Sequence, residues 1–371
     1  MKTTTILVAI LLLITGCSDK EQSGQTEKEV DYNTISFYYN WYGNTETDGE
    51  NLHWKHGIAP TPGQDEDAGY IPGTTDNIAC NFYPELGLYS SNSRETIKKH
   101  MDMHVRAKAG VLSVTWWGEA DYKNPSVPII LDEAEKAGLK ICFHIEPYPN
   151  RNAETFLQNI KYIVDNFGRH PAFYTTKGKP MFFVYDSYLI ENEEWARLFD
   201  KDGDLSVRGT GYDGIYIGLA LKKESLKDIS QSHFDGFYTY FASTGFTEGS
   251  DPASWKYMQE WATDNNKIFI PSVGPGYIDT RIRPWNTSTT RDREDGKYYD
   301  NMYKAAIECG APYISITSFN EWHEGTQIEP AIPFKGNAFE YLDYQRLAPD
   351  YYLDRTAYWV DEFKRSRKKA N

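Results

Sequence analysis

The stretch Tyr313-Ile-Ser-Ile-Thr-Ser-Phe-Asn-Glu-Trp-His-Glu-Gly325 decides how the rest of the chain is interpreted. Its first half is typical of a strand, because it is rich in β-branched and aromatic residues and follows Gly310-Ala-Pro312. Its second half carries two carboxylates, Glu321 and Glu324, three positions apart. Residues three apart point to opposite faces of a strand, but on a helical turn their Cβ atoms lie roughly 5–6 Å apart on one face. A turn here would direct both carboxylates into one space, which suits acid/base chemistry on a sugar.

Short apolar segments alternate with amphipathic helical segments along the chain. This alternation predicts an α/β fold, a single (β/α)8 TIM barrel with long strand–helix loops. A doubly wound open sheet is the alternative, but no GxGxxG follows the first strand and no GxxxxGK[ST] occurs in the sequence. The first seven predicted strands cover residues 35–39, 110–115, 140–145, 180–184, 215–219, 237–240 and 267–271, and the eighth begins at Tyr313. The clearest predicted helices cover residues 94–108 and 127–137, the segment from Asn152 to Gly168, residues 296–308, and a last helix with Tyr358, Trp359 and Phe363.

The N-terminal residues 1–16 have the pattern of a lipoprotein signal peptide. A basic residue at position 2 precedes an apolar run that is too short to span a bilayer as a helix. Ile14-Thr-Gly-Cys17 resembles the bacterial lipobox, in which the cysteine is lipidated after cleavage. We expect residues 17–31 to be a flexible tether and residues 32–371 to be the catalytic domain. The protein is therefore expected to be an outer-membrane lipoprotein held by the lipid on Cys17 alone. The cell surface is the expected location, and the periplasmic face is the alternative.

The composition argues against several kinds of partner. The 371 residues carry a formal net charge of −14, and the one basic cluster, residues 364–369, lies at the C-terminal end. A nucleic-acid partner is therefore not expected. Besides Cys17, three widely spaced cysteines remain, and they suggest neither a disulfide framework nor a CxxC metal site. Aromatic residues make up 15% of the chain, which fits either an aromatic-rich core or stacking platforms for sugar rings.

Aromatic and acidic residues collect where the predicted strands end, and a TIM barrel has its active site at those ends. Such a set suits a carbohydrate, because aromatic faces stack on sugar rings while carboxylates bind hydroxyls and move protons. One of Trp116 and Trp117 is expected to pack between the barrel and its helices, because neighbours on a strand face opposite ways. His144 is expected to be a core residue, and Asp186 either a cap or a site residue. The residues at these strand ends are Tyr39-Asn-Trp-Tyr42, Trp116, Trp117, His144, Glu146, Tyr185, Asp186, Tyr238, Tyr240 and Asn320-Glu-Trp-His-Glu324.

Two loops are expected to shape the site. Trp54-Lys-His56 lies in the long first loop, and Arg283, which follows strand seven, is a candidate to hold sugar hydroxyls. No metal or other cofactor is predicted, since His323-Glu324 lacks the second histidine of HExxH and no ligand spacing supports a mononuclear metal site. The sequence also lacks a GxSxG motif, so carboxylate-based glycoside hydrolysis remains as the predicted chemistry.

Three segments together resemble glycoside hydrolase family 99, the endo-acting α-1,2-mannosidases and mannanases. They are Phe319-Asn-Glu-Trp-His-Glu-Gly-Thr-Gln-Ile-Glu-Pro330, Trp54-Lys-His56 and Phe37-Tyr-Tyr-Asn-Trp-Tyr42. The resemblance extends over about residues 33–365. It implies a (β/α)8 barrel without a required metal, and cleavage inside α-mannoside chains with retention of configuration. The substrate would be α-mannan or a mannose-rich oligosaccharide, and the protein is expected to be a monomer.

The resemblance also implies roles for individual residues. Glu321 would deprotonate the substrate 2-hydroxyl to form a 1,2-anhydro sugar, and Glu324 would protonate the leaving oxygen. A tryptophan at the end of strand two would suit mannose in the outer subsite, which points to mannan. The alternatives are a non-catalytic surface glycan-binding lipoprotein and a barrel glycosidase of another linkage specificity. The expected substrate-binding residues are Tyr42, Trp54, His56, Trp116, Trp117, Glu146, Tyr185, Tyr240, Arg283, Trp322 and His323.

Overall fold

Parallel strands form the inner layer of the molecule, and helices between them pack on the outside. The computed structural model describes residues 29–64 and 68–370. The predicted signal peptide, Cys17 and most of the predicted tether lie outside these residues. The strands are almost wholly buried, as expected when the barrel interior covers one face and helices cover the other. The predicted (β/α)8 barrel is confirmed.

Eight strands, labelled β1 to β8, build the barrel in the order in which they occur along the chain. Ser36 of β1 pairs with Leu112 of β2 on one side and with Ile316 of β8 on the other. The strands are Asp31–Tyr38, Ala109–Trp116, Lys140–Ile145, Lys179–Val184, Ile215–Leu219, Gly236–Tyr238, Ile268–Ile270 continued by Ser272–Val273, and Ile314–Ile316.

Strand β7 is interrupted at Pro271, which has no N–H group to donate to the ladder. Residues before the proline pair with β6, and Ser272 and Val273 after it pair with β8. The Pro271 carbonyl accepts a hydrogen bond from the Ser315 N–H at 3.0 Å, so the barrel wall continues across the break.

Two of the outer helices begin at side chains that cap them. The Ser93 side chain accepts from the N–H of Thr96, and Asn152 and Thr155 form a reciprocal capping box. The helices, labelled α1 to α8, are Arg94–Arg106, Ser126–Ala137, Ala153–Phe167, Asn192–Phe199, Ser225–Gln231, Trp255–Asp264, Lys297–Glu308 and Tyr351–Ala370. Within the part of the chain that the structure describes, no helix is both long and apolar enough to cross a membrane.

The long loop between β1 and α1 packs against the segment that follows β8. It contains a single helical turn, Thr45–Asp48, and its residues Tyr83–Pro84 pair with Ala331–Ile332. The Tyr341 hydroxyl accepts a hydrogen bond from the Ile78 N–H at 2.7 Å, which is a second link between the two segments. The loop therefore covers one side of the barrel mouth, directly beside the residues that follow β8.

The structure ends strand six earlier than the sequence predicts. The predicted strand runs to residue 240, but β6 stops at Tyr238, and Tyr240 adopts a left-handed backbone conformation with φ 54°. The Tyr240 N–H donates to Ser272 Oγ at 2.7 Å, and its carbonyl accepts from Thr317 Oγ1. Hydrogen bonds from β7 and the end of β8 thus hold Tyr240 in a conformation that its own side chain does not favour.

Candidate active site

The chain turns immediately after β8 and carries both candidate catalytic carboxylates on that turn. Ser318 Oγ accepts from the Glu321 N–H at 2.7 Å, and the Trp322 carbonyl accepts from the Gly325 N–H at 3.3 Å. Gly325 has φ +61°, and a Cβ atom there would lie 2.7 Å from the Ile278 side chain. Glycine is therefore required where the turn passes the neighbouring loop.

Glu321 is buried and held by the residue two positions later. Its side chain is 5% exposed, and its Oε1 accepts from the His323 N–H at 3.0 Å. The His323 Nδ1 atom lies 3.5 Å from the same oxygen, while Nε2 donates to the His53 carbonyl at 2.6 Å. His323 therefore orients the carboxylate of Glu321 and does not face open solvent, since its own side chain is 6% exposed.

Glu324 has a different environment. Its side chain is 18% exposed, and its Oε1 lies 3.6 Å from Nη1 of Arg283, while Oε2 has no hydrogen-bond partner among the described residues. Burial, followed by the negative charge of Glu321, raises the pKa of Glu324 to about 8, and the charge of Arg283 opposes this rise. Near neutral pH Glu324 is thus suited to donate a proton.

A buried polar network supports the turn from below. Glu329 is fully buried, and its two oxygens lie 3.1 Å from His100 Nε2, 2.9 Å from the Tyr89 hydroxyl and 3.0 Å from Trp322 Nε1. Asn320 exchanges two hydrogen bonds with the backbone of Tyr39, at 2.7 and 2.9 Å, and so joins the end of β8 to the end of β1. These contacts fix the base of the turn that carries the two carboxylates.

The ends of strands β3, β4 and β6 contribute a second group of polar side chains. Glu146 accepts from Thr115 Oγ1 at 2.6 Å and lies 2.9 Å from His144 Nδ1, whose Nε2 is 2.7 Å from the Tyr238 hydroxyl. The ring of Tyr240 lies 4.8 Å from that of Tyr185. His144 is buried, as expected for a core residue, but it also orients Glu146.

The Tyr240 hydroxyl makes a short contact with the hydroxyl of Tyr39. Burial raises the pKa of both phenols well above their usual range, and the charges of Glu321 and Glu324 contribute to the rise. These hydroxyls therefore stay uncharged beside the two carboxylates and can exchange hydrogen bonds with a neutral sugar.

The structure separates the two neighbouring tryptophans and corrects the assignment of Trp116 to the substrate site. Trp116 is fully buried outside the barrel, where its Nε1 donates to Asn159 at 2.8 Å and its ring lies 5.8 Å from that of Tyr162 of α3. Trp117 faces the other way and is partly exposed, with Lys123 Nζ 5.5 Å from its ring centre. One of the pair is thus a packing residue, as strand alternation predicts.

Three further residues expected to bind substrate lie beneath the site instead. Tyr42 stacks on Trp54 at 4.3 Å and donates to the Asn320 carbonyl at 3.1 Å, while Trp54 Nε1 donates to the Tyr89 carbonyl. Trp322 is also fully buried. Since the exposed fraction of each is at most 1%, they support the site and have no surface free for a sugar. The tertiary packing of the first loop over the turn causes this burial.

Three residues of the site, Tyr39, Trp41 and His53, are not among the expected substrate-binding residues. Trp41 stacks on Tyr39 at 4.4 Å and on His53 at 4.8 Å, so it forms the exposed edge of an aromatic wall. Burial, with the nearby charge of His323 second, lowers the pKa of His53 to about 2, so its imidazole is neutral. Tyr39 and Trp41 belong to the quoted motif that ends at Tyr42 and could have been selected from it. His53 directly precedes Trp54-Lys-His56, the loop segment expected to shape the site, and could have been selected with it.

The described residues contain no group of histidine, cysteine, aspartate and glutamate side chains that could hold a metal ion. Among the expected substrate-binding residues, the structure places Glu146, Tyr185 and Tyr240 after strands β3, β4 and β6, and Trp117 directly after β2. His56 and Arg283 reach the mouth from the loops after β1 and β7. The site therefore combines partly exposed aromatic rings with two carboxyl groups, of which Glu324 has a raised pKa.

Comparison with known proteins identifies the family. The chain matches Glycosyl hydrolase family 99 over residues 29–365. A glycoprotein endo-alpha-1,2-mannosidase of Rattus norvegicus is 46% identical over 355 residues, which cover 91% of this chain and 76% of the rat protein. A glycoprotein endo-alpha-1,2-mannosidase-like protein of Homo sapiens is 46% identical over 88% of this chain and 75% of its own length. The solved structure of the GH99 endo-alpha-mannosidase from Bacteroides thetaiotaomicron is 67% identical, with a TM-score of 0.90, over 91% of this chain and 99% of that one. The chain therefore belongs to glycosyl hydrolase family 99.

Proposed function

We propose that this protein cleaves internal α-1,2-mannosidic bonds of α-mannan or mannose-rich glycans, with retention of configuration. The observation that carries the proposal is the pair of carboxylates after β8, of which Glu324 has a pKa near 8 while Glu321 is held by the His323 N–H. Paired carboxyl groups in contrasting environments are the usual arrangement for acid/base chemistry on a glycoside. The names of the rat and human relatives support the choice of mannose and of the α-1,2 linkage.

In the first step Glu321 acts as the base. It removes the proton of the substrate 2-hydroxyl, whose oxygen attacks the anomeric carbon of the same sugar and forms a 1,2-anhydro ring. The glycosidic bond breaks as the new bond forms, and the leaving oxygen takes the proton of Glu324. Glu324 still carries that proton near neutral pH because its pKa is raised.

In the second step the roles reverse. Glu324, now ionised, removes a proton from a water molecule that attacks the anomeric carbon. The bond between that carbon and the 2-oxygen breaks, and the 2-oxygen takes back its proton from Glu321. Two inversions at one carbon give overall retention, and both glutamates return to their starting states.

The side chains at the mouth of the barrel bind the sugar rings in this proposal. Trp117 offers a partly exposed indole ring for the outer sugar, which favours mannan as the substrate. Glu146, held by Thr115 and His144, accepts hydrogen bonds from sugar hydroxyls. Tyr185 and Tyr240, whose rings lie 4.8 Å apart, form an aromatic wall of the site, and Arg283, 3.6 Å from Glu324, binds sugar hydroxyls.

Product analysis on yeast α-mannan and on a glucosylated high-mannose glycan tests this function. The parent protein is expected to release short oligosaccharides with retained anomeric configuration, and Glu321→Gln and Glu324→Gln are each expected to lower kcat/KM by roughly 10²–10⁴-fold. Glu308→Gln is the matched control, because the side chain of this glutamate of α7 is 65% exposed and its carboxylate lies 3.8 Å from Lys304 Nζ. Binding of mannan without cleavage by the parent would identify a glycan-binding protein instead, and full activity of Glu324→Gln would refute the acid role.

We also propose that the protein is attached to the outer membrane through a lipid on Cys17 and acts at the cell surface. The lipobox-like sequence Ile14-Thr-Gly-Cys17 supports this location. Radiolabelled palmitate should enter the parent protein but not Cys17→Ser, which should be released into the soluble fraction. External protease should degrade the surface protein in intact cells, and protection from the protease would place it on the periplasmic face.

A further inference from the structure

Asp279, in the loop after β7, is a fully buried carboxylate that the proposed reaction does not use. Its Oδ2 accepts from the Tyr277 hydroxyl at 2.9 Å, from Nη1 of Arg283 at 3.0 Å and from Asn286 Nδ2 at 2.8 Å. Its Oδ1 has no hydrogen-bond partner among the described residues. A buried carboxylate is costly unless a charge balances it, and here the guanidinium of Arg283 does so.

The loop that carries Asp279 is attached directly to the catalytic turn. The Ile278 N–H donates to the carbonyl of Glu324 at 2.8 Å. The Asp279 carbonyl accepts from the N–H of Arg283 at 2.8 Å, which closes one turn and places the two side chains on the same side. The backbone therefore sets the position of both charges relative to Glu324.

Arg283 is shared between two carboxylates. Its Nη1 atom lies 3.0 Å from Asp279 Oδ2 and 3.6 Å from Glu324 Oε1. The shorter distance is within hydrogen-bonding range, and the longer one is not. Arg283 is thus hydrogen-bonded to Asp279 and only close to Glu324.

Because Arg283 bonds to Asp279 and not to Glu324, the guanidinium affects the protonation of the general acid less than a full ion pair would. An arginine that pairs fully with a carboxyl group keeps that group ionised, and an ionised Glu324 cannot donate a proton. We propose that Asp279 is a positioning residue that holds Arg283 away from Glu324 and so keeps Glu324 protonated until the leaving oxygen takes its proton. This inference rests on the acid role proposed above for Glu324.

Among the described residues, three charged groups and four neutral tyrosine hydroxyls face Glu324. Burial raises the pKa of each neighbouring tyrosine hydroxyl, so none of these hydroxyls is ionised in the working range. The negative charge of Asp279 itself raises the pKa of Glu324. The hydrogen bond from Arg283 to Asp279 acts in the same direction, because it keeps the guanidinium from pairing with Glu324. The charged groups are Glu321 on the same turn and Asp279 and Arg283 on the loop after β7, and the neutral ones are Tyr39, Tyr185, Tyr240 and Tyr277.

The test is the titration of Glu324 in Asp279→Asn. Carbon-13 NMR of glutamate-labelled protein follows the Glu324 carboxyl directly, with its resonance assigned by Glu324→Gln. The alkaline limb of the kcat/KM profile follows the same proton through catalysis. Asp279→Asn should lower the pKa of Glu324 measured by NMR and the pKa of the alkaline limb by about 1–2 units each. The reason is that Arg283 is then free to pair with Glu324 and one negative charge is lost.

Asp300→Asn is the matched control for this substitution. Asp300 also accepts hydrogen bonds from an arginine, Arg355, but it does so between α7 and α8. This variant should leave the alkaline limb unchanged. A merely structural role for Asp279 would lower activity at every pH without moving the limb, and that result would overturn the proposal.

Asn286→Ala keeps the proposal testable if Asp279→Asn does not fold, and a double variant tests the coupling through Arg283 if it does. Asn286→Ala removes one competing donor but keeps the charge of Asp279, so the pKa of Glu324 should stay or rise, and a fall would overturn the proposal. In an Arg283→Gln background, Asp279→Asn should lower the pKa by less than it does alone. An equal fall in both backgrounds would refute the coupling through Arg283. Full activity of Glu324→Gln would instead refute the acid role itself, so the two failures are distinguishable.

Discussion

Replacing Glu324 by glutamine should stabilise the fold at alkaline pH while removing the general acid. The pKa of this carboxyl is raised from 4.5 to about 8, first by burial and second by the charge of Glu321. Between these two values the folded protein binds more protons than the unfolded chain, so the free energy of unfolding falls as the pH rises. Glutamine is uncharged at every pH and carries no such penalty.

The size of the effect follows from the pKa difference. At about 1.4 kcal/mol per pKa unit, ionising Glu324 costs the folded state roughly 5 kcal/mol above pH 8. The neutral amide loses only the long 3.6 Å contact with Arg283. We therefore expect Glu324→Gln to match the parent in stability near pH 4 and to exceed it by roughly 3–5 kcal/mol near pH 9.

Equilibrium denaturant unfolding at a series of pH values from 4 to 9 measures this difference. Glu308→Gln serves as the control, because the Glu308 side chain is 65% exposed and its replacement should not give a pH-dependent difference. A stability difference that stays constant across the series, or a Glu324→Gln variant less stable than the parent at pH 9, would refute the reasoning.

Three other substitutions test separate parts of the site. Glu321→Gln should lower the pKa of Glu324, because it removes the second cause of the rise, and NMR titration of the labelled carboxyl would show no change if the two groups were independent. Trp117→Ala should raise KM for mannan without changing Tm, whereas Trp116→Ala should lower stability by about 3–5 kcal/mol in denaturant unfolding; the reverse pattern would contradict their assignment to opposite faces of β2. Glu329→Gln should cost about 1–3 kcal/mol of stability and lower kcat more than it changes KM, since it loosens the support of Trp322, and an unchanged kcat would count against that support.

The barrel could be predicted because its strands carry their information locally. Each strand is a short apolar run with flanking turn residues, and this pattern does not depend on what the run packs against. The end of a strand cannot be predicted from the sequence where a tertiary contact overrides the local backbone preference of its residues. Tyr240 belongs to an aromatic run but leaves the strand, because Ser272 and Thr317 hold its backbone in another conformation.

The candidate site could be predicted only in part for a similar reason. The strand ends contribute Glu146, Tyr185 and Tyr240, and rules about barrel topology were sufficient to collect them. Tyr42 and Trp54 are predicted to bind substrate but are buried beneath the site. The sequence does not distinguish a buried aromatic residue in a loop from an exposed one.

The sequence by itself determined the barrel, the turn after its last strand and the three-residue spacing that brings Glu321 and Glu324 together. These features depend on local backbone preferences and on strand periodicity. Only the tertiary structure decided that Glu324 keeps its proton near neutral pH. That outcome depends on burial and on the position of Arg283, which Asp279 holds, and both residues come from a loop some forty residues earlier in the chain. Electrostatic energy depends on distance and burial in three dimensions, and neither follows from residue spacing.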